Sequence, residues 1–225
     1  MNTAQPTRLF DIVAYQLAQH PLPDMLAARE GGQWRQWSTA EVAQTVNQLT
    51  AGLIKKGMGA GDGSIDGRDK IALISRNRPE WIMTDLAVQQ SGAVLVPVYS
   101  TIHVSELQYI LHHAQVKMIF VNDDDLLQKV VSIQANLPHL QHIVSFEKLE
   151  GVQHWTELLT EVDTGLQQEI DGRERLAQRG SRDAQPVGEL AHRAVVVERD
   201  EGEHHLPLLI DDQKARVSGA VDAGA

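Results

Sequence analysis

The sequence predicts an α/β fold, an N-terminal helix and hairpin arm followed by a mostly parallel, helix-covered sheet. Three observations lead there. Short apolar runs begin near residues 70, 93, 117 and 141, a spacing of 23 to 24 residues that holds one strand, one crossover helix and short connections. The stretches between these runs repeat their apolar residues with helical period. Ahead of them, Met25–Arg29 and Gln33–Trp37 flank Gly31 and Gly32, the composition of a tight hairpin turn.

Taken in order, Arg8–His20 places Leu9, Phe10, Val13 and Leu17 at helical positions and forms the first helix. After the hairpin, Ser38 and Glu41 make a capping-box pattern. Val42, Val46, Leu49 and Leu53 then continue as a stripe, so a helix starts just past Ser38. Lys70–Ser75 is a bounded apolar strand. Asn77 and Pro79 supply an N-cap and a first-turn proline for a helix running to about Gln90, which Gly92 closes. Ala93–Val98 is a second buried strand ended by Pro97 and Tyr99, and Ser105 with Glu106 opens the next helix. Lys117–Val121 and His142–Phe146 are the following strands, while Asp124–Asn136 and His154–Ile170 supply the third and fourth helices of the sheet region.

Composition narrows the function classes. The chain of 225 residues is long enough to bury an ordinary core, and it contains no cysteine, which removes disulfides, thiolate metal sites and cysteine nucleophiles. A reducing cytoplasm fits that usage. The net charge of −10, with scattered basic residues, argues against a nucleic-acid surface. The start, MNTAQPTRLFDIVAYQ, lacks the basic and apolar regions of a secretion signal, and no apolar run is long enough for a transmembrane segment. The expectation is a cytoplasmic chain, at most peripheral to a membrane.

The ordered words of residues 75–111, Arg76-Asn77-Arg78-Pro79-Glu80-Trp81, then Gly92-Ala93-Val94 and Pro97-Val98-Tyr99, then Glu106-Leu107 and Tyr109-Ile110-Leu111, carry a family pattern. Upstream, Trp37-Ser38-Thr39-Ala40-Glu41-Val42 with Leu53 and Gly57 fits the same pattern, and Lys117–Val121 and His142–Phe146 fall where its next two strands belong. In this series the chain resembles the AMP-forming acyl-CoA synthetases, most closely their long-chain fatty-acid members, over about residues 8–170. The resemblance implies the first lobe of the N-terminal domain of an adenylate-forming synthetase. The full-length family joins a fatty acid to coenzyme A, using ATP and Mg²⁺ and releasing AMP and pyrophosphate.

The resemblance also defines what is missing. The family's Ser/Thr/Gly-rich phosphate loop should begin within about twenty residues of Asp171, yet Thr164 is the last threonine, and the only later Ser-Gly pair, Ser218-Gly219, leads into Ala220 and Val221. The family's Tyr-Gly-x-Thr-Glu segment, ribose-binding Asp and C-terminal lysine likewise correspond to no residue here. No catalytic, cofactor-binding or metal-ligating residue is therefore assigned, and the chain as written is expected to be inactive alone. Residues 171–225 hold no Phe, Trp, Tyr or Thr and one isoleucine, Ile210, against eight Lys or Arg and eleven Asp or Glu. Such a tail has little to offset its ordering entropy. The expected organisation is a partial synthetase lobe over 1–170 and a divergent tail over 171–225, disordered above all from Gly180 to Ala225. The folded part should end between Leu158 and Gln178. A shifted frame, a rearrangement or natural divergence would each produce that tail.

Other candidate features have simpler readings. The glycines from Gly57 to Gly63 follow a helix and precede a strand, the inverse of a dinucleotide-binding turn, and read as a helix-ending loop. Asp62, Ser64, Asp66 and Gly67 imitate the start of a calcium loop, but its twelfth position is Leu73. His112 and His113 are adjacent and so point about 100° apart on a helix, which does not chelate one metal, and His103 lies one connection away. Asp123, Asp124 and Asp125 stand where carboxylates cap a helix. Trp34, Trp37 and Trp81 read as packing residues near element ends. Tyr99, Ser100 and Thr101 end a parallel strand on the side where open α/β sheets bind ligands, and they are the residues placed nearest a ligand, although a strand-ending turn explains them too.

Two function classes follow. The first is an enzyme fragment of a long-chain fatty acid–CoA ligase. The second is a non-catalytic α/β binding or interaction module derived from that family, and an exposed sheet face or edge would favour self-association in either case.

Overall fold

The computed structural model describes residue 6, residues 8–64 and 66–178, and residues 195–196. An arm of α1 (Asp11–Gln19) and the hairpin β1 (Leu26–Glu30) and β2 (Gln33–Trp37) leads into α2 (Thr39–Lys55). Gly31 and Gly32 both take positive φ, 56° and 82°, the backbone a two-residue hairpin turn with matching twist requires. Thr39 joins the arm to α2, since Leu22 N–H donates to its Oγ1 at 3.0 Å and its own N–H donates to the Leu22 carbonyl at 2.9 Å. The capping box of α2 is complete. Glu41 N–H donates to Ser38 Oγ at 3.2 Å, and Ser38 N–H donates to Glu41 Oε2 at 2.7 Å.

The main sheet follows: β3 (Lys70–Ile74), α3 (Pro79–Gln90), β4 (Val94–Val98), α4 (Val104–His113), β5 (Met118–Val121), α5 (Asp124–Ile133), β6 (His142–Ser145) and β7 (Gln153–His154). Its order is β4-β3-β5-β6-β7 and every neighbouring pair is parallel. The strands from β3 to β6 start at residues 70, 94, 118 and 142, as the spacing of apolar runs anticipates.

Two cores cover the two faces of the sheet. One joins Leu26, Trp37, Leu49 and Leu53 to Ile71, Leu73, Phe120, Val144 and Phe146; the other joins Ala72, Ile74, Ile119 and Val121 to Leu107, Leu111, Leu126 and Val130. Helices therefore lie on both sides, the usual burial of a parallel sheet. No residue of α3 is exposed, so its polar side chains lie among apolar ones.

At the β4 edge, Val94 N–H donates to the Asp69 carbonyl at 2.8 Å. That fixes the alternation: the backbone groups of Val94, Val96 and Val98 face β3, while those of Leu95 and Pro97 face outward. Pro97 thus stands where its missing N–H costs the ladder nothing and where it blunts an open edge.

Two expectations need correction. Asn77 does not cap α3; Arg78 is the N-cap, with φ −162° and ψ 155° and no side-chain capping bond. The cause is Pro79, which forces the residue directly before it into extended backbone. Nor is His154–Ile170 one helix. Gln153–His154 extends the sheet, Trp155–Leu158 is a 3₁₀ turn, and α6 (Thr164–Gln178) begins only after Asp163, whose Oδ1 accepts from Leu166 N–H at 2.8 Å. Leu158 is held against α2, where its carbonyl leaves no room for a side chain at position 52, and Thr160 N–H donates to the Gln48 carbonyl at 3.1 Å. These tethers bend the chain away from a continuous helix. Leu166 and Ile170 of α6 then pack on Ala51 and Ile54 of α2.

Of the segment from Gly180 onward, the described part is β8 (Val195–Val196), parallel to Leu26 and Ala27 of β1. The remaining expectation for that segment lies outside the described residues.

Candidate functional site

The chain passes from β3 through α3 to β4 on one side, then returns across β3 to β5 on the other. Its connections part between β3 and β5, and ligands of open α/β sheets bind at the carboxyl ends of strands at such a point. Ser75–Arg78 leave β3 there, and Asn122 and Asp123 leave β5.

A polar network fills this point. Arg78 donates through Nε and Nη2 to the two carboxylate oxygens of Glu80, at 2.9 and 3.0 Å, and through Nη1 to Asn122 Oδ1 at 3.2 Å. Ser75 Oγ donates to the same Asn122 oxygen at 2.9 Å, and Asn122 Nδ2 donates to Asp123 Oδ2 at 2.9 Å. Asp123 Oδ1 accepts Leu126 N–H at 3.0 Å and so caps α5. The Arg78 guanidinium also stands 4.9 Å over the ring of Phe146, just past β6, and Phe146 stacks on Phe120. One cation therefore ties together the exits of β3, β5 and β6. Arg78 and Glu80 are 3% and 7% exposed, and a bidentate pair with these extra partners is the geometry that offsets the desolvation of two buried charges. Such a network is a rigid floor, with every named polar group engaged.

The groups that face outward lie around it. Arg76 and Asn77 are exposed at the end of β3. At the end of β4, Tyr99 is 87% exposed and Thr101 is exposed, and Ile102 N–H donates to the Tyr99 carbonyl at 3.2 Å, which closes a turn. Lys129 of α5 reaches this turn, its Nζ 3.4 Å from the carbonyl oxygens of Ser100 and Ile102. The structure thus sets Tyr99, Ser100 and Thr101 at the carboxyl edge beside the exit of β3, on a turn steadied by an ammonium group.

The other sequence features lie elsewhere. The Gly57–Gly63 loop sits at the amino end of β3, away from the carboxyl ends of the strands. Asp69 clamps its base: Gly59 N–H donates to Asp69 Oδ2 at 2.9 Å, Asp69 N–H donates to the Gly59 carbonyl at 3.0 Å, and Lys117 pairs with Asp69 Oδ1 at 2.5 Å. Hydrogen bonds from Ser64 hold the Asp62 carboxyl below its ordinary value. Among the described residues, no three His, Cys, Asp or Glu side chains converge as a metal-ligand set. His103 is the N-cap of α4, while His112 and His113 are exposed in its last turn. Trp37 is buried and Trp81 is partly buried against the first core, while Trp34 is 53% exposed on the hairpin.

Arg78, Glu80, Asn122 and Phe146 are the residues that sequence reasoning passes over. Their signal is present in Arg78-Pro79-Glu80, two opposite charges flanking the first-turn proline of a helix whose apolar residues occur all round it.

The family model described as AMP-binding enzyme matches residues 13–194. Long-chain-fatty-acid–CoA ligase ACSBG2 of Xenopus laevis is 25% identical over 139 residues, which is 60% of this chain and 18% of that protein. Long-chain-fatty-acid–CoA ligase FadD15 of Mycobacterium bovis is 27% identical over 113 residues, 50% of this chain and 18% of that protein. Among solved structures, the anthranilate CoA ligase AuaEII, in complex with anthranoyl-AMP, superposes with a TM-score of 0.56 and 22% identity, covering 71% of this chain and 28% of that one. That likeness is one of fold. The chain spans about a fifth of the length of the two ligases. The matched span takes in the parallel sheet from β3 to β7 together with α2 and the helices of both faces, and by it the chain belongs to the AMP-binding enzyme family.

Proposed function

We propose that this chain is the amino-terminal lobe of a long-chain fatty acid–CoA ligase, working in the cytoplasm, and that alone it does not catalyse the reaction. The observation that carries the reading is a contrast within one chain. The family match runs through the whole described sheet, while the sequence lacks the Ser/Thr/Gly loop that would hold the nucleotide phosphates. A carboxylate attacking a phosphate ester brings two anions together, and fixed donors and cations must neutralise the charge. The cleft offers Arg76 and Lys129, but Lys129 is turned onto backbone carbonyls and the buried cation, Arg78, is matched by Glu80. In this reading the lobe contributes the floor of a ligand cleft, with Tyr99, Ser100 and Thr101 on its rim, and fatty acid, ATP and coenzyme A engage the whole ligase.

The test is ATP–pyrophosphate exchange with palmitate or oleate, using the chain purified from a host without endogenous synthetase. Exchange at the no-enzyme level is expected. Exchange above that level, abolished by Arg76→Ala or Tyr99→Ala, would overturn the proposal. Sequencing the DNA beyond the last codon separates the two function classes. A phosphate loop encoded in any frame supports the ligase lobe, and a stop followed by an unrelated gene supports the non-catalytic module.

A further inference from the structure

The flank of α4 that faces away from α5 is unusual for a solvent-exposed helix. Tyr109 is 68% exposed, Ile102 and Ile110 are partly exposed, and Ser105, Glu106 and His113 are exposed, all along one shallow groove and its continuation. Gln108, on another side of the helix, accepts from Asn136 after α5, which fixes which side is already covered. Residues 106, 109, 110 and 113 are spaced three, four and seven apart and so share a face. The Tyr109 and His113 rings stack at 5.5 Å with an interplanar angle of 8°, so both are held flat along the helix before any partner arrives. The Glu106 carboxylate has no hydrogen-bond partner among the described residues.

We infer that this flank is the contact through which two copies of the chain pair, with their α4 helices antiparallel about a two-fold axis near Tyr109. A two-fold contact must be complementary to itself. In the antiparallel register that places Tyr109 of one copy on Ile110 of the other, Glu106 meets His113, so the acid of each copy faces the imidazole of its partner. A parallel register would instead set Glu106 on Glu106 and waste both hydrogen bonds. Pro97 on the neighbouring β4 edge disfavours strand addition as the alternative route. One helix flank buries less surface than a permanent dimer needs, so the association is reversible and concentration-dependent.

The experiment is sedimentation equilibrium of the full chain over a wide concentration range. A monomer–dimer equilibrium is expected, abolished by Tyr109→Arg and weakened about tenfold by Glu106→Lys, because symmetry counts each pair twice. The double variant E106K/H113E reverses the polarity within one chain and is expected to recover the wild-type dissociation constant. These positions are exposed, and far-UV circular dichroism and the thermal midpoint check that each variant is folded. A wild-type chain that stays monomeric throughout, a dimer indifferent to Tyr109→Arg, or a double variant no tighter than Glu106→Lys would each overturn the inference.

Discussion

Arg78 and Glu80 sit two residues apart on either side of Pro79 and form a bidentate ion pair in the protein interior, with N to O distances of 2.9 and 3.0 Å. Proline makes this possible. It holds Arg78 in extended backbone while Glu80 enters the first helical turn, so two side chains that would lie on opposite sides of a continuous helix converge instead.

Removing one partner strands the other. Arg78→Met is expected to destabilise the chain by about 3–5 kcal/mol, as is usual when a buried charge loses its counter-ion. Replacing both residues, Arg78→Met with Glu80→Met, should recover a large part of that loss. Urea unfolding of the two variants measures it, and equal destabilisation would refute the coupling.

Gly52 and Gly57 should respond differently to alanine. A Cβ at Gly52 would lie 1.8 Å from the Leu158 carbonyl oxygen, a backbone atom that cannot rotate away. Gly52→Ala is expected to cost about 3 kcal/mol and to detach the Trp155–Leu158 turn. Gly57 has open space but φ of +77°, so Gly57→Ala should cost only about 1 kcal/mol. Thermal unfolding ranks the two, and the reverse order would refute the packing account.

Asp85 of α3 is partly buried, and its carboxyl is pushed above its ordinary value by burial, against the opposing hydrogen bond from Gln89. A raised carboxyl binds its proton more tightly when folded than when unfolded, so the ionised form is the one that weakens the fold. Stability lost to Asp85 is therefore lost in full above the raised value and regained as pH falls through it to the unfolded value. Asp85→Asn, which keeps the oxygen that accepts from Gln89, is expected to stabilise the chain at neutral pH and to show no gain once pH is below the ordinary aspartate value. Denaturation curves at several pH values decide this, and a constant gain would contradict it.

Ending the chain after Gln178 removes β8, a two-residue pairing with β1, and leaves both sheet cores whole. The truncated chain is expected to unfold within about 2 °C of the full one, since surface changes are usually worth no more than about 0.5 kcal/mol. A larger drop in thermal midpoint would assign the last 47 residues of the sequence a structural role.

Legibility from sequence followed the range of the interactions. The hairpin turn at Gly31 and Gly32, the capping box at Ser38 and Glu41 and the apolar strands are each specified by residues close together in the chain, and each lies where its pattern places it. The break after His154 was not legible, because it depends on Gly52 and Gln48, about a hundred residues earlier in the chain. The polar network at the strand ends was hidden for the same reason: Arg78 meets Asn122 and Phe146, which only the parallel pairing of β3, β5 and β6 brings beside it. The rim residues Tyr99, Ser100 and Thr101 were legible as a strand end, which is a property of the chain at one place.

The clamp between Asp69 and Gly59 closes the base of the segment between them, and Lys117 fastens that base to the start of β5. Whatever happens at the tip near Gly63 is thereby uncoupled from the strand register below it. Loop-closure entropy grows only as the logarithm of length. The tip is thus a permissive point for a grafted epitope or fluorescent tag, at the end of the sheet opposite the polar network of Arg78.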